Sequence, residues 1–182
     1  MSDRQLIVVD LETTHLDTSK AVILEVAAIN VTTGEELAFV PAVTPEQLAA
    51  ADPEALAVNR YFERKVFRGA LDTQLTTTRY LQLSKMLSGN TLAGANPRYD
   101  AAVLHGALRA WIGVDTEPWH FRLADITSIT AGALGIDPAH LPGLRRCCDL
   151  LGVENLEAHS AYGDALATAE CFRALAVRRG AH

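Results

Sequence analysis

Two acidic residues lie at the end of the first apolar segment of the chain. Residues 6–9 form an unbroken apolar run, which is typical of a strand covered on both faces of a sheet. Because side chains alternate along a strand, Asp10 and Glu12 project to one side and Leu11 to the other. Two carboxylates at a buried strand end repel each other, and a hard divalent cation relieves that repulsion by taking oxygen ligands. The pair therefore indicates a metal site or, more simply, a solvated strand terminus.

Two further acids fall in the first turns of predicted helices, on the side that faces the core. Asp100 precedes Val103 and Leu104 by three and four residues, so it lies on the apolar stripe of its helix. Asp164 takes the corresponding position at the start of the C-terminal helix. A lone carboxylate on an inward face is costly unless it is paired or binds metal. His159 precedes Asp164 by five residues and does not share its helix face, so we expect it on the preceding loop.

Apolar segments separated by short polar turns predict five strands that position these residues. The predicted strands are at residues 6–14, 21–31, 36–40, 91–95 and 119–123. The first three follow one another with short turns, which favours an antiparallel meander.

Helices are predicted in the remaining segments. Thr44 and Asp52 each precede a proline, which is typical of the cap and first position of a helix. Asn96, before Pro97, is expected to cap the helix that carries Asp100. The other predicted helices are at residues 74–87, 125–134 and 144–151, with a last one from Asp164 to residue 179.

Length and composition indicate a single domain outside the membrane. A chain of 182 residues suits one sizeable core, and no apolar run is long enough to cross a membrane. We see no signal peptide, and the three cysteines lack metal-ligand spacing, so we expect reduced thiols and a cytoplasmic location. The formal net charge of -6 argues mildly against a nucleic-acid partner, but clustered metal-binding acids would account for part of it.

Basic and aromatic residues are interleaved in residues 59–68. The set comprises Arg60, Arg64, Lys65 and Arg68 with Tyr61, Phe62 and Phe67. Such a pattern suits a single-stranded nucleic acid, with phosphates on the cations and bases on the rings. An ordinary amphipathic helix, with its aromatics in the core, is the alternative.

Three short motifs, in this order along the chain, resemble those of the DnaQ-like 3′-5′ exonucleases of the DEDDh group. They are DLETT at residues 10–14, NPRYD at residues 96–100 and HSAYGD at residues 159–164. The resemblance covers nearly the whole chain and implies an α/β, ribonuclease H-like fold with a five-stranded mixed sheet flanked by helices. It also implies a single exonuclease domain over residues 1–182, like the proofreading domain of the DNA polymerase III epsilon subunit.

The same resemblance implies a set of site residues. Two Mg²⁺ or Mn²⁺ ions would be held by Asp10, Glu12, Asp100 and Asp164. His159 would act as the general base on the attacking water, and the product would be a nucleoside 5′-monophosphate. The implied substrate contacts are Thr13, Thr14, Leu16 and Asn96. Leu16 would be an apolar wedge against the terminal base, with a simple loop anchor as the alternative.

His15 departs from the family pattern, which commonly has glycine between the second threonine and the leucine. The departure affects the expected shape of the base pocket and leaves the expected metal site unchanged. His105, His120 and His140 have no motif context, and we interpret them as structural.

Three functions follow from these expectations. The first is a metal-dependent 3′-5′ exonuclease on single-stranded DNA, of the proofreading or repair type. The second is an exoribonuclease of the same group, resembling RNase T or oligoribonuclease, because one metal site serves both sugars. The third is a catalytically silent nucleic-acid or polymerase-docking module, which the complete set of acids disfavours. The expected partners are DNA or RNA 3′ ends, with a DNA polymerase as a further candidate.

Overall fold

The computed structural model describes residues 4–180, with side chains through residue 178. Residues 1–3, on which the expected lack of a signal peptide partly depends, lie outside this range. The helices are α1 (Pro45–Ala49), α2 (Pro53–Val58), α3 (Thr73–Leu87), α4 (Pro97–Ile112), α5 (Ile126–Leu134), α6 (Leu144–Leu151) and α7 (Ala161–Gly180). Within the described range, none of them has the length and apolar character needed to cross a membrane.

Five strands form one mixed sheet, as predicted. They are β1 (Leu6–Thr13), β2 (Ile23–Asn30), β3 (Glu36–Phe39), β4 (Thr91–Gly94) and β5 (Ala124–Asp125). Their spatial order is β3-β2-β1-β4-β5. The pairs β1–β2 and β2–β3 are antiparallel, whereas β1–β4 and β4–β5 are parallel. The architecture is the α/β, ribonuclease H-like fold that the motifs imply, with β1 at the centre of the sheet.

Strand β1 extends further than its apolar run. It continues through both acids because the pairing with β2 continues, with Asp10 opposite Ala27 and Glu12 opposite Glu25. The register becomes irregular only between Glu12 and Thr13. The two acids therefore take their positions from a central strand with partners on both sides.

The two faces of β1 pack against different helices. Ile7 and Val9 belong to a core cluster that includes buried side chains of α3 and α4. Val8, on the opposite face, packs in a second cluster with buried side chains of α6 and α7. By the same alternation, Asp10 and Glu12 project toward the side of the sheet that α7 covers.

The position predicted for the fifth strand is wrong. Residues 119–123 form a loop, and β5 is the two-residue segment that follows it. Trp119 is buried in the core from this loop, whereas Phe121 is 73% exposed. A loop aromatic that packs into the core produces the apolar signal of a strand, although the segment lacks the ladder pairing of one.

Gly163 allows the turn before α7 to pack against the helix. A Cβ at this position would overlap the carbonyl oxygen of Glu157 and lie 2.7 Å from the Glu157 Cβ atom. The hydroxyl of Ser160 accepts a hydrogen bond from the Gly163 N–H at 3.0 Å, as expected of a helix cap. The same hydroxyl donates to the Glu157 carbonyl at 2.8 Å. The turn that carries His159 is therefore folded onto the first turn of α7.

Replacing Gly163 with alanine should lower the free energy of unfolding by about 1–3 kcal/mol, because the added methyl group forces this turn away from α7. The matched control is Gly106→Ala in α4, where nothing lies within 4 Å of the added Cβ. That change should raise stability by about 0.5–1 kcal/mol through helix propensity. Urea unfolding measures both. Equal stability of the two variants would contradict the described packing of the turn.

Candidate active site

Three carboxylates meet where β1 passes the start of α7. Asp10 and Glu12 come from β1, and Asp164 comes from the first turn of α7. Each offers an oxygen atom, and these atoms all lie within 4.8 Å of one another. An all-oxygen donor set at this spacing suits a hard divalent cation. The structure thus brings together three of the four acids expected from the sequence.

Asp100 lies beside this cluster but does not belong to it. It is 6% exposed and sits in the first turn of α4, the helix on the other face of the sheet. Its Oδ1 accepts a hydrogen bond from the backbone N–H of Leu11 at 3.1 Å. The carboxylate therefore bonds to the β1 backbone between the two strand acids. Its role as a metal ligand stays a prediction.

Burial and mutual repulsion dominate the electrostatics of the cluster. Burial is the main cause that raises the pKa of Asp10 well above its usual range, followed by the charges of Asp100 and Asp164. Burial likewise raises the pKa of Glu12 to about 8, with further contributions from Asp164 and Glu25. Without a cation, these carboxyl groups resist being ionised together.

The pKa of Asp100 is raised by burial as well. Two backbone N–H groups, its own and that of Leu11, act in the opposite direction. These donors favour the ionised form because they bond to the carboxylate.

His159 lies on the exposed turn before α7, as predicted. Its backbone adopts a left-handed conformation with φ of 63°, which is uncommon for a residue with a side chain. Its N–H donates to Asp164 Oδ2 at 3.3 Å, and its carbonyl accepts a hydrogen bond from Arg64 at 2.9 Å. The backbone of His159 is thus bonded both to the acidic cluster and to a distant arginine.

Two polar contacts at the site were not anticipated from the sequence. Asn155 donates a hydrogen bond from its side-chain amide to Asp164 Oδ1, and nothing in its sequence context indicates this. Arg64 makes a two-pronged ion pair with Glu25, with N–O distances of 2.6 and 2.7 Å. The sequence did carry a signal for the ion pair, because Glu25 is a charged residue within the apolar second strand.

The two threonines expected to contact substrate are committed to internal hydrogen bonds. Thr13 is 8% exposed, and its hydroxyl lies 2.6 Å from that of Tyr99. Thr14 is fully buried, and its hydroxyl accepts the Val22 N–H at 2.9 Å. Tyr99, which we did not single out, also donates to the carbonyl of His15. These bonds shape the loop after β1, and direct substrate contact by either threonine stays a prediction.

The other two expected substrate contacts differ in environment. Leu16 is 86% exposed, so it does not anchor the loop by packing, and its side chain is free to contact a ligand. Asn96 occupies the cap position of α4, as predicted, but it does not cap the helix with its side chain. Its backbone is left-handed and its side chain makes no capping bond, while its N–H donates to Asp125 Oδ1 at 3.3 Å.

The basic and aromatic segment at residues 59–68 is not the amphipathic helix offered as the alternative. It consists of turns and a short 3-10 helix, with left-handed backbone at Arg60 and Lys65. Tyr61 is buried, whereas Phe62 and Phe67 are 55% and 44% exposed. Contact of this segment with nucleic acid stays a prediction.

Solved structures of exonuclease I share the fold of this chain. The enzyme from Methylocaldum szegediense is 19% identical, with a TM-score of 0.75 over 97% of this chain and 41% of that chain. The Escherichia coli enzyme in complex with a dT13 oligonucleotide is 17% identical, with a TM-score of 0.71 over 98% of this chain and 42% of that one. The chain thus spans about two fifths of the length of these proteins.

No curated protein sequence matches the chain. The expected likeness to the epsilon subunit in particular stays a prediction. The family model RNase_T, described as an exonuclease family, matches residues 7–172. This match includes all four acids and His159, and it covers most of the sequence. The protein therefore belongs to this exonuclease family.

Proposed function

We propose that this chain is a single-domain, metal-dependent 3′-5′ exonuclease that acts on single-stranded DNA and releases nucleoside 5′-monophosphates. The observation that carries the proposal is the cluster of Asp10, Glu12 and Asp164, whose oxygen atoms lie within 4.8 Å of one another in an exonuclease-family fold. Membership of the family makes the protein a nuclease. Polarity, substrate and mechanism are the parts that we propose.

The donor set fits divalent cations. Asp10, Glu12 and Asp164 supply carboxylate oxygens, and burial with mutual repulsion raises the pKa of the first two, so positive charge is favoured there. With Asp100 as a fourth ligand, the site would hold two Mg²⁺ or Mn²⁺ ions. When bound, such ions lower the pKa of water and stabilise the charge that develops on the leaving oxygen.

His159 carries the proton transfer in this proposal. The support for this role is that the backbone N–H of His159 bonds to Asp164 Oδ2, so the residue lies next to the acidic cluster. In this role an imidazole nitrogen accepts the proton of the attacking water, as histidine most often does in general base catalysis. The water oxygen forms a bond to the terminal phosphorus as the bond from phosphorus to the 3′ oxygen breaks, and the nucleoside 5′-monophosphate leaves.

Single-stranded DNA is the substrate we favour. Exonuclease I, whose fold this chain shares, has been solved with single-stranded DNA and with dT13 and dA16 oligonucleotides. The exposed Leu16 suits contact with a terminal base. We keep a polymerase partner and a cytoplasmic location as predictions. For the location, the support is that Cys147, Cys148 and Cys171 are all buried free thiols.

The experiment that tests this function is digestion of single strands labelled at the 5′ end, with DNA and RNA side by side in Mg²⁺ or Mn²⁺. We expect a ladder that shortens by single nucleotides from the 3′ end, faster on DNA, and reversible loss of activity in EDTA. Faster cleavage of the RNA strand would show that RNA, not DNA, is the preferred substrate. No cleavage of either strand would contradict the exonuclease proposal.

Two substitutions separate the proposed roles in the same assay. His159→Ala should slow cleavage by roughly 10²- to 10⁴-fold, the usual contribution of a general base. Asp164→Asn should abolish turnover with the fold retained, because the cation loses a charged ligand. The matched control is Asp115→Asn, which changes an acid whose side chain is 74% exposed in a surface ion pair with Arg109. An active Asp164→Asn enzyme would remove this residue from the site.

The metal-free protein should lose stability as the pH rises from about 4.5 toward 8, because Glu12 has a pKa of about 8 when folded and an ordinary value of 4.5 when unfolded. A raised folded pKa gives stability that is fully present below the unfolded value and is lost as the pH rises through the folded one. We expect a loss of at least about 1 kcal/mol in EDTA, measured by urea unfolding near pH 5 and pH 8.

Glu12→Gln should reduce this dependence on pH, whereas Glu117→Gln, at an exposed position, should leave it unchanged. A metal-free protein that becomes more stable over this range would contradict the electrostatic description of the cluster.

A further inference from the structure

Arg64 connects three separate parts of the chain next to the acidic cluster. Its guanidinium pairs with Glu25 of β2 through both terminal nitrogens, at 2.6 and 2.7 Å. One of these nitrogens also donates to the carbonyl oxygens of Asn59 and His159, both at 2.9 Å. The contact with His159 spans 95 positions of sequence. A single side chain thus ties the turn before α7 to the central sheet.

We propose that Arg64 is a positioning residue for His159, which holds the backbone of the general base in place through its carbonyl oxygen. This proposal rests on the proposed exonuclease function. In this role Arg64 contacts neither the substrate nor a cation, and it acts only through His159.

The turn that carries His159 needs such a contact. It is exposed, with Leu156 at 87% exposure, and the left-handed backbone of His159 is a sparsely populated conformation for residues other than glycine. On one side its N–H reaches Asp164 by a long bond of 3.3 Å. On the other side its carbonyl meets Arg64 at 2.9 Å. Loss of the second bond would leave the histidine backbone held from one side only.

The two residues that orient Arg64, Glu25 and Asn59, are themselves held in place. Glu25 lies opposite Glu12 in the β1–β2 ladder, and its side chain is only 13% exposed. Asn59, whose carbonyl Arg64 contacts, donates its side-chain amide to the Thr13 carbonyl at 3.3 Å. The guanidinium is therefore oriented by the sheet that carries two of the acids. Because this guanidinium also bonds to the His159 carbonyl, it fixes the histidine backbone relative to the acids.

The competing explanation is that Arg64 serves only to compensate negative charge. Glu25 adds negative charge beside Glu12 and raises its pKa, whereas Arg64 lowers the pKa of Glu12. The two explanations differ in what restores activity. A lysine supplies the charge but lacks the planar fork that contacts a carboxylate and two carbonyls at once. Removing Glu25 together with Arg64 removes the need for compensation and leaves His159 untethered.

The test compares Arg64→Gln, Arg64→Lys and the double variant Glu25→Gln/Arg64→Gln in cleavage of labelled single-stranded DNA. Arg109→Gln is the control, because it removes an arginine from an exposed ion pair with Asp115. Misplacing a catalytic group by about 1 Å can cost about 10²-fold, so we expect kcat to fall by about 10- to 10²-fold in all three variants. KM should change far less, and Arg109→Gln should match the wild type.

Recovery of kcat in Arg64→Lys or in the double variant would overturn the proposal in favour of charge compensation. A change confined to KM would overturn it as well. Amide hydrogen exchange at residues 157–160 gives a readout without activity, and it should become faster in Arg64→Gln and Arg64→Lys but not in Arg109→Gln. Unchanged exchange would rule out the tether. If the wild type cleaves no strand, the exonuclease proposal fails, while exchange still decides whether Arg64 holds the turn.

Discussion

Repulsion among half-buried carboxylates is the constraint on which the rest of this structure depends. Asp10, Glu12 and Asp164 hold oxygen atoms within 4.8 Å of one another, and burial with mutual repulsion raises the pKa of the first two. Such a cluster needs a backbone held by other forces. Apolar packing on both faces of β1, and pairing with β2 and β4, provide it. The same repulsion favours a cation at the cluster, because a bound cation attracts each carboxylate and offsets the repulsion between them.

The sheet and most helices could be predicted because their signals are local. The apolar run before Asp10 indicated β1, and proline after a capping residue located α1 and α2. The fifth strand could not be located, because β5 has two residues and its position depends on pairing with β4. Trp119 supplied a misleading signal, since its burial comes from tertiary packing of a loop. Long-range contacts of this kind leave no periodic pattern in the sequence.

The acids of the site could be predicted because an inward carboxylate conflicts with its apolar neighbours. Their partners could not. The contact of Arg64 with His159 depends on how a surface segment folds back over the sheet, and the bond from Asn155 to Asp164 depends on the turn before α7. Asn96 takes the cap position of α4 as its residue type predicted, but its backbone is left-handed and its side chain makes no capping bond. Residue type therefore located the charges, and only the fold located the groups that orient them.

Binding of Mn²⁺ to the purified protein is the most direct test of the central claim that the acidic cluster is a cation site. Electron paramagnetic resonance of free Mn²⁺ gives the affinity without any assumption about substrate. The account predicts binding by the wild type, a loss of at least about tenfold in Asp10→Asn, and no change in Asp137→Asn, which alters an exposed acid on a loop. Equal affinity of Asp10→Asn and the wild type would contradict it.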